Sequence, residues 1–183
     1  MILIYEIINL YVMVLILRVW LQIARADFYN PFSQTIVKLT EHITAQPRRL
    51  FPARGAIDYA SLLIAYVLIF GKFLINSFVS SVGSFDIVGL IVFSVLDFTH
   101  LIGQTVFWVM IINVILSWVS QGRNPIDAVI YQLTQPLIGP IKRIVPPVGM
   151  IDFSIMIFLF GLYFLNYLHG QVTFFITRAL YGI

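Results

Sequence analysis

Four stretches of this chain are nearly unbroken apolar sequence: residues 2–23, 58–79, 98–119 and 152–174. A helix needs about 20 predominantly apolar residues to cross the hydrocarbon of a bilayer, and each stretch has that length. Backbone polar groups find no water there, so the spans are predicted as helices, which satisfy their own hydrogen bonds. Trp20 and Trp118 mark the loop-side ends of the first and third spans, where interfacial indoles belong. Residues 80–96 carry FDIVGLIVFSVL, which is apolar but too short to cross alone. This segment has three readings: an extension of the third helix, an interfacial segment, or one that dips in and returns. We take it as a connector that does not cross. A crossing would invert the second half of the chain relative to the first.

Between spans one and two, and again between three and four, the pattern changes period. Asn30 and Asn124 are good helix N-caps, each followed by a proline, Pro31 or Pro125, suited to the first helical position. Phe32, Ile36, Leu39 and Ile43 then fall on one helical face, as do Ile126, Ile130, Leu133 and Leu137. Beside a bilayer such a helix lies in the plane with its apolar face in the headgroup zone, or it packs on the loop end of its own bundle; both readings stand. QPRRLFPARGAID and GPIKRIVPPVGMID come next. Here the prolines are expected to end the helix. Two basic residues follow, Gly55 or Gly149 turns the chain, and Asp58 or Asp152 caps the next span. Arg49 and Arg143 are expected to pair with these carboxylates or with lipid phosphates, since a guanidinium suits either.

These two segments are copies. Residues 30–60 align with 124–154 at a constant offset of 94, without a gap, and ten of the 31 positions are identical. Unrelated sequence would match at about two or three. A fixed-period match defines the unit of the fold. The predicted fold is therefore an all-α membrane protein. It has four transmembrane helices arranged as two tandem helix–loop–helix repeats, each loop carrying a short amphipathic interfacial helix. The first repeat is residues 1–80, the connector 81–97 and the second repeat 98–183.

Composition agrees with a membrane class. The 183 residues are 60% apolar and 10% charged, against about 45–50% and about 25% in soluble domains. Met1 to Ile23 lacks the basic leader of a signal peptide and carries Glu6, Arg18 and Trp20 within it, so it reads as a retained span. Arg25, Lys38, Arg48, Arg49 and Arg54 in the first loop and Arg123, Lys142 and Arg143 in the second make eight of the eleven basic residues. By the positive-inside rule both loops are expected in the cytoplasm and both termini outside. The copies then run in the same direction. Basic loops beside apolar spans point to anionic headgroups, with Arg48, Arg49, Lys142 and Arg143 as the candidate lipid or partner contacts. Direct nucleic-acid binding is not expected, because it needs a larger exposed basic patch. With no cysteine, disulfides, thiolate metal sites and thiol nucleophiles are excluded.

DFYNPFSQ, RRLFPARGAIDYASLLIAY and SWVSQGRNPIDAVIYQLTQPLIGPIKRIVPPVGMIDFS resemble the YggT family of integral membrane proteins, in its two-repeat proteobacterial form, over nearly the whole chain. In the first copy His42, Ala45-Gln46 and Pro47 replace Pro136, Gly139-Pro140 and Ile141, so that loop departs from the family pattern. The resemblance implies roles in osmotic or envelope stress resistance and links to cell division. Organelle relatives are tied to nucleoid organisation or cytochrome assembly. It supplies no catalytic residue.

The residues themselves carry little chemistry. Glu6, Asn9, Lys72, Asn76, His100, Gln104, Asn166 and His169 lie in the outer parts of the spans, while 10–17, 62–71, 105–112 and 156–165 hold no charge. Transporter sites sit near the midplane; the outer collar reads instead as snorkelling and hydrogen bonding. Arg18 is about one helical turn from the loop side and is expected to snorkel there. His100 and His169 share a depth, but two imidazoles without further ligands make a weak haem or metal site. No phosphate loop, HExxH or nucleophile elbow is present. No enzyme activity, cofactor or metal is expected. The expected role is a non-enzymatic organiser of an envelope, stress-response or division-related complex through its basic loops. It would be partnered by the bilayer, a second copy or another membrane protein. The alternative is a component of ion flux in osmotic stress resistance.

Overall fold

The computed structural model describes residues 2–52, 55, 57–79, 86–120, 123–145 and 153–182. Among these are six helices: α1 (Ile2–Ile23), α2 (Pro31–Leu50), α3 (Tyr59–Val79), α4 (Ile87–Val119), α5 (Pro125–Ile144) and α6 (Phe153–Tyr181). Helices α1, α3, α4 and α6 are long and apolar enough to cross a membrane. They form the bundle, with α1 packed on α3, both on α4, and α4 on α6. Helices α2 and α5 pack against each other. Asn30 Nδ2 donates to the Pro125 carbonyl at 2.6 Å and the Asp27 amide to Gln132 Oε1 at 3.0 Å. Both repeat loops therefore lie at one end of the bundle, and the two repeats run in the same direction.

Of the segment before the third span, residues 80–85 lie outside the described residues and Ile87 onward is helical. Asp86 caps α4 by accepting from the Val88 and Gly89 amides at 3.0 and 3.1 Å, and the helix then continues through residues 87–97 without a break. The 33 residues of α4 extend about 50 Å. Of the three readings of this segment, the extension is the one that forms. No proline interrupts it, and its cap is tied down: Tyr181 Oη at the end of α6 donates to Asp86 at 3.0 Å.

The prolines do not end the amphipathic helices. Helix α2 runs through Pro47 to Leu50, and α5 through Pro136 and Pro140 to Ile144. A helical proline frees the carbonyl four residues back. Pro136 and Pro140 stand on the exposed side of α5 and Pro47 is partly exposed, where a freed carbonyl can still be solvated. The basic pairs consequently occupy the last helical turn, where they complement the negative end of the helix dipole.

Three apolar clusters fill the interior. Val12, Leu15, Ile16, Ile64, Ala65, Ile69 and Leu101 join α1, α3 and α4 at mid-height. Leu21, Ala26, Ile36, Val109, Val129, Ile130 and Leu133 join α1, α2, α4 and α5 at the loop end. Met110, Ile138 and Ile155 join α4, α5 and α6.

Helix α1 ends in a Schellman turn. The Ala26 amide donates to the Leu21 carbonyl at 2.9 Å and the Arg25 amide to Gln22 at 3.1 Å, with Ala26 and Leu21 both buried in the same apolar cluster. Arg25 sits at φ 51°, the left-handed position that glycine usually fills in this motif. An L-residue there costs about 1–2 kcal/mol. Arg25→Gly is expected to keep or raise the melting temperature in detergent, and the β-branched Arg25→Val to lower it. A glycine variant that melts below the parent would contradict this account of the turn.

Candidate functional site

Helix α2 crosses α1 between Ile36 and Glu41 and reaches α3 at Arg48. Its buried face is Ser33, Ile36, Thr40 and Thr44, three small residues that let helices approach closely and one aliphatic residue. Thr40 and Thr44 turn their hydroxyls back to the Ile36 and Thr40 carbonyls at 2.7 and 3.0 Å, so they pack as small, satisfied side chains. On α3, Ala60, Ser61 and Ala65 are fully buried. The apolar positions of α2 divide: Ile36 is buried, while Leu39 and Ile43 face outward. In α5, Ile130 and Leu133 are both buried. Packing on the bundle thus accounts for α5, and α2 keeps an outward apolar edge.

The crossing of α1, α2 and α3 encloses four charged side chains. Arg18 is 5% exposed and does not snorkel. Its guanidinium donates to the Val37 carbonyl at 3.3 Å, to Thr40 Oγ1 at 2.5 Å and to Glu41 Oε2 at 2.5 Å. Its Nε lies 3.5 Å from Asp58 Oδ2. Arg48 approaches from the last turn of α2 and donates to Asp58 Oδ2 at 2.5 Å and Glu41 Oε2 at 3.3 Å. Two cations and two carboxylates therefore cancel. Arg18 turns inward because a backbone carbonyl, a hydroxyl and two carboxylates on α2 and at the head of α3 lie within its reach.

Asp58 does two jobs. It is the N-cap of α3, accepting from the Ser61 amide at 3.3 Å and the Ser61 hydroxyl at 2.8 Å, and it is the counter-ion of both arginines. Burial pushes its carboxyl up, but the hydrogen bonds from Ser61 and Arg48 outweigh burial and hold it below the ordinary 3.8. The hydrogen bond from Arg18 holds Glu41 below the ordinary 4.5.

The second repeat lacks this cluster. At the 94-residue offset Ile112 stands for Arg18 and Gln135 for Glu41; aligning Trp20 with Trp118 instead puts Leu116 at the Arg18 position. Asp152 lies outside the described residues. Asn124 caps α5 by accepting from the Ile126 amide at 3.0 Å, and Asp127 reaches back to the Asn124 amide at 3.2 Å. Asn30 caps α2 in the same way, accepting from Phe32 at 3.0 Å. The four basic candidates separate into two kinds. Arg48 is engaged as described and Lys142 is half-buried, whereas Arg49 and Arg143 are exposed. Beside the last two, Leu50 and Ile144 are 79% and 81% exposed. Each helix thus ends in an outward arginine next to an outward aliphatic side chain.

A second ionic group lies at the other end of the bundle. Lys72 of α3 is buried, donates to Asn9 Oδ1 of α1 at 2.8 Å and pairs with Asp97 of α4. This pair ties the first repeat to α4, the helix that carries the first span of the second. Asp97 is not singled out by the sequence, because it falls just before residue 98, where the third apolar span begins. Arg18 and Asn9 are nine residues apart on α1, about 13 Å along its axis, and the mid-height apolar cluster fills the interval.

These features define a multi-pass helical membrane protein built from two loop-bearing repeats. The chain belongs to the CCB3/YggT family, whose description matches residues 1–79 and 92–173. It is 48% identical over 165 residues to a Vibrio alginolyticus protein named for the proC 3′ region, covering 90% of this chain and 89% of that one. It is 46% identical over 164 residues to the protein YggT of Escherichia coli K12, covering 87% and 83%. A Haemophilus influenzae protein is 43% identical over 161 residues, covering 88% and 86%. None of these names states an activity. No solved structure matches.

Removing one member of a buried ion pair strands its partner and costs about 3–5 kcal/mol, while exposed pairs contribute about 0–1 kcal/mol. Asp58 is 1% exposed and the Glu41 side chain 46%. Asp58→Ala is therefore expected to destabilise the protein by about 3–5 kcal/mol and Glu41→Gln by about 0–1 kcal/mol, measured by unfolding in mixed micelles. Both carboxyls have lowered folded values, so their contribution is complete above the unfolded values and is lost as pH falls through the folded ones. The same unfolding measurement should be level from neutral pH down to the ordinary values of 4.5 and 3.8 and decline below them. A decline that begins near neutral pH would point to other groups.

For the second ionic group, Lys72→Met and Asp97→Leu should each destabilise. The double variant should lose less than the sum of the two, because no charge is then left unpaired. Simple additivity in that cycle would show that the pair is not coupled.

Proposed function

We propose that this protein is a non-enzymatic organiser of the bacterial inner membrane. It presents the paired helices α2 and α5 at the cytoplasmic face as a docking platform for a membrane-associated protein complex, with anionic headgroups beneath. The observation that carries this reading is the pairing itself. Two copies of one loop lie side by side, and each helix ends in an exposed arginine beside an exposed aliphatic residue, Arg49-Leu50 and Arg143-Ile144. That combination suits the headgroup boundary, where guanidinium meets phosphate and the aliphatic side chain meets acyl chains. The concentration of basic residues at this end supports a cytoplasmic orientation. Against a conduit within one chain stands the cluster between the two ionic groups, whose buried members among the described residues are all aliphatic.

Photo-crosslinking in cells tests the platform. Leu39 and Tyr131, 51% and 57% exposed, are suitable probe positions. Leu133, the counterpart of Leu39, is fully buried and unsuitable. A discrete protein adduct is expected at both probes, and Arg49→Glu combined with Arg143→Glu should abolish it while membrane insertion is kept. Lipid adducts alone, or a protein adduct indifferent to the charge reversal, would defeat the platform reading.

A further inference from the structure

Where α4 gives way to α5, the second repeat holds a cleft of about 370 Å³, within the size range of small-ligand sites. Asn113, Leu116 and Ser117 of α4 line it, with Asp127, Ala128 and Tyr131 of α5. The first repeat does not reproduce this lining. At the 94-residue offset Val19 stands for Asn113, Ile23 for Ser117 and Ser33 for Asp127. Asn30 caps α2 with no acidic residue in the first turn, so the cap by itself does not call for Asp127.

The polar atoms of the cleft are mainly acceptors with unfilled capacity. A carboxylate accepts about four hydrogen bonds. Asp127 receives two, from the Ser120 hydroxyl at 2.6 Å and the Asn124 amide at 3.2 Å, and no lysine or arginine among the described residues pairs with it. The positive end of α5 offsets it by about half a unit charge. The Ser117 hydroxyl donates to the Val114 carbonyl at 2.7 Å, which leaves its oxygen free to accept. Asn113 is half-buried, and its side chain makes no hydrogen bond among the described residues. One carboxylate among neutral oxygens suits a monovalent cation that donates hydrogen bonds. A hard divalent ion takes six or more oxygens, several of them carboxylate, and no group of three His, Cys, Asp or Glu able to hold a metal occurs among the described residues.

Depth selects the carrier of that cation. Ser117 and Asn113 lie two and six residues inside the end of α4 at Val119, about 3 and 9 Å along the axis. Trp118 beside them is 78% exposed, as an interfacial indole is. Toward mid-membrane the same helix turns Ile112 and Ile115 outward, 39% and 52% exposed. Arg123 stands exposed in the turn that leads into α5, its amide bonded to the Ser120 carbonyl at 2.9 Å. An acceptor-lined carboxylate at headgroup level, an arginine in the adjoining turn and an aliphatic surface below match the ammonium, phosphate and acyl chain of a phospholipid. We propose that the α4–α5 cleft binds one ethanolamine phospholipid. Its primary ammonium is held by Asp127, Asn113 and Ser117, its phosphate by Arg123, and one acyl chain lies along Ile112 and Ile115. A primary ammonium brings three N–H donors to these acceptors; the trimethylated ammonium of choline brings none.

The full chain is placed in phosphatidylcholine vesicles with a small, equal fraction of either phosphatidylethanolamine or phosphatidylcholine carrying the same photoreactive acyl chain. Adducts formed on illumination are mapped by mass spectrometry. Labelling around Ile112 and Ile115 is expected to be about tenfold stronger with the ethanolamine lipid, a factor that corresponds to about 1.4 kcal/mol. Asp127→Asn removes the charge and keeps an acceptor for Ser120 and the Asn124 amide; it should bring the two lipids level. Ala128→Leu, on an exposed position of α5, fills the cleft and should remove the preference without touching the cap. Free ethanolamine in large excess should not displace the label. Arg49→Glu with Arg143→Glu should change nothing, so this result is independent of the platform. Equal labelling by the two lipids in the parent, or a preference that survives both Asp127→Asn and Ala128→Leu, would overturn the assignment. Displacement by free ethanolamine would show that the cleft takes a soluble amine instead, and loss of the preference on reversing Arg49 and Arg143 would move the lipid to the basic helix ends.

Discussion

A charge at the depth of a bilayer must be paired, and the position of α2 follows from that constraint. Lipid tails are as apolar as leucine, so the spans gain little hydrophobic energy by burying themselves against one another; packing and polar contacts between helices hold them. Arg18 is one helical turn inside the loop end of α1. Its guanidinium is satisfied by a backbone carbonyl and the Thr40 hydroxyl of α2, by Glu41, and by Asp58 at the head of α3. These groups meet only if α2 lies across α1 and α3 at this level. Small side chains on the facing surfaces permit the approach, and Arg48 completes the neutralisation from the far end of the same helix.

The two repeats share a plan and are held by different forces. In the first, α2 is tied down by charge. In the second, the corresponding positions are Ile112 and Gln135, and α5 is held by Val129, Ile130 and Leu133 in a shared apolar cluster. Polar caps anchor both helices at their N-termini in the same way. The difference extends to the spans. Helix α3 packs on both α1 and α4 and has its lysine paired across the repeat boundary. Helix α6 has most of its length uncovered, and a groove between α4 and α6 is a consequence of that imbalance. Rigidity at one side of the molecule and accessible surface at the other both arise from a few residues that differ between the copies.

The vertical arrangement also bears on function. Ionic groups occupy both ends of the first repeat, and an apolar cluster separates them. Each ionic group is internally neutral, so neither presents an unpaired charge to a passing ion. Exposed charge lies elsewhere: Arg25, Asp27, Lys38, Arg49, Arg123 and Arg143 at the loop end, and Glu6 and Arg178 at the other.

Much of the fold was legible in the chain. The period of the apolar pattern and the internal repeat determined four spans, two amphipathic helices and their Asn-Pro caps, because backbone satisfaction in lipid leaves the helix as the form of each span; the common direction of the copies came from the distribution of basic residues, given a connector that does not cross. The sequence offered Arg49 as a partner of Asp58, but Arg48 and Arg18 take that carboxylate and Arg49 is exposed. It misplaced the helix ends at the prolines, since a proline is tolerated where an outward face can solvate the freed carbonyl. Residues 87–97 were ambiguous for a similar reason: an apolar run without breakers reads alike as connector or as helix, and the cap at Asp86 with its partner Tyr181 decides. What only the tertiary structure settled is the pairing of charges. Arg18 finds Glu41 and Asp58, and Lys72 finds Asp97, across separations of 23 to 40 residues. Local pattern carries no information about which distant helix will bring the neutralising partner to the same depth.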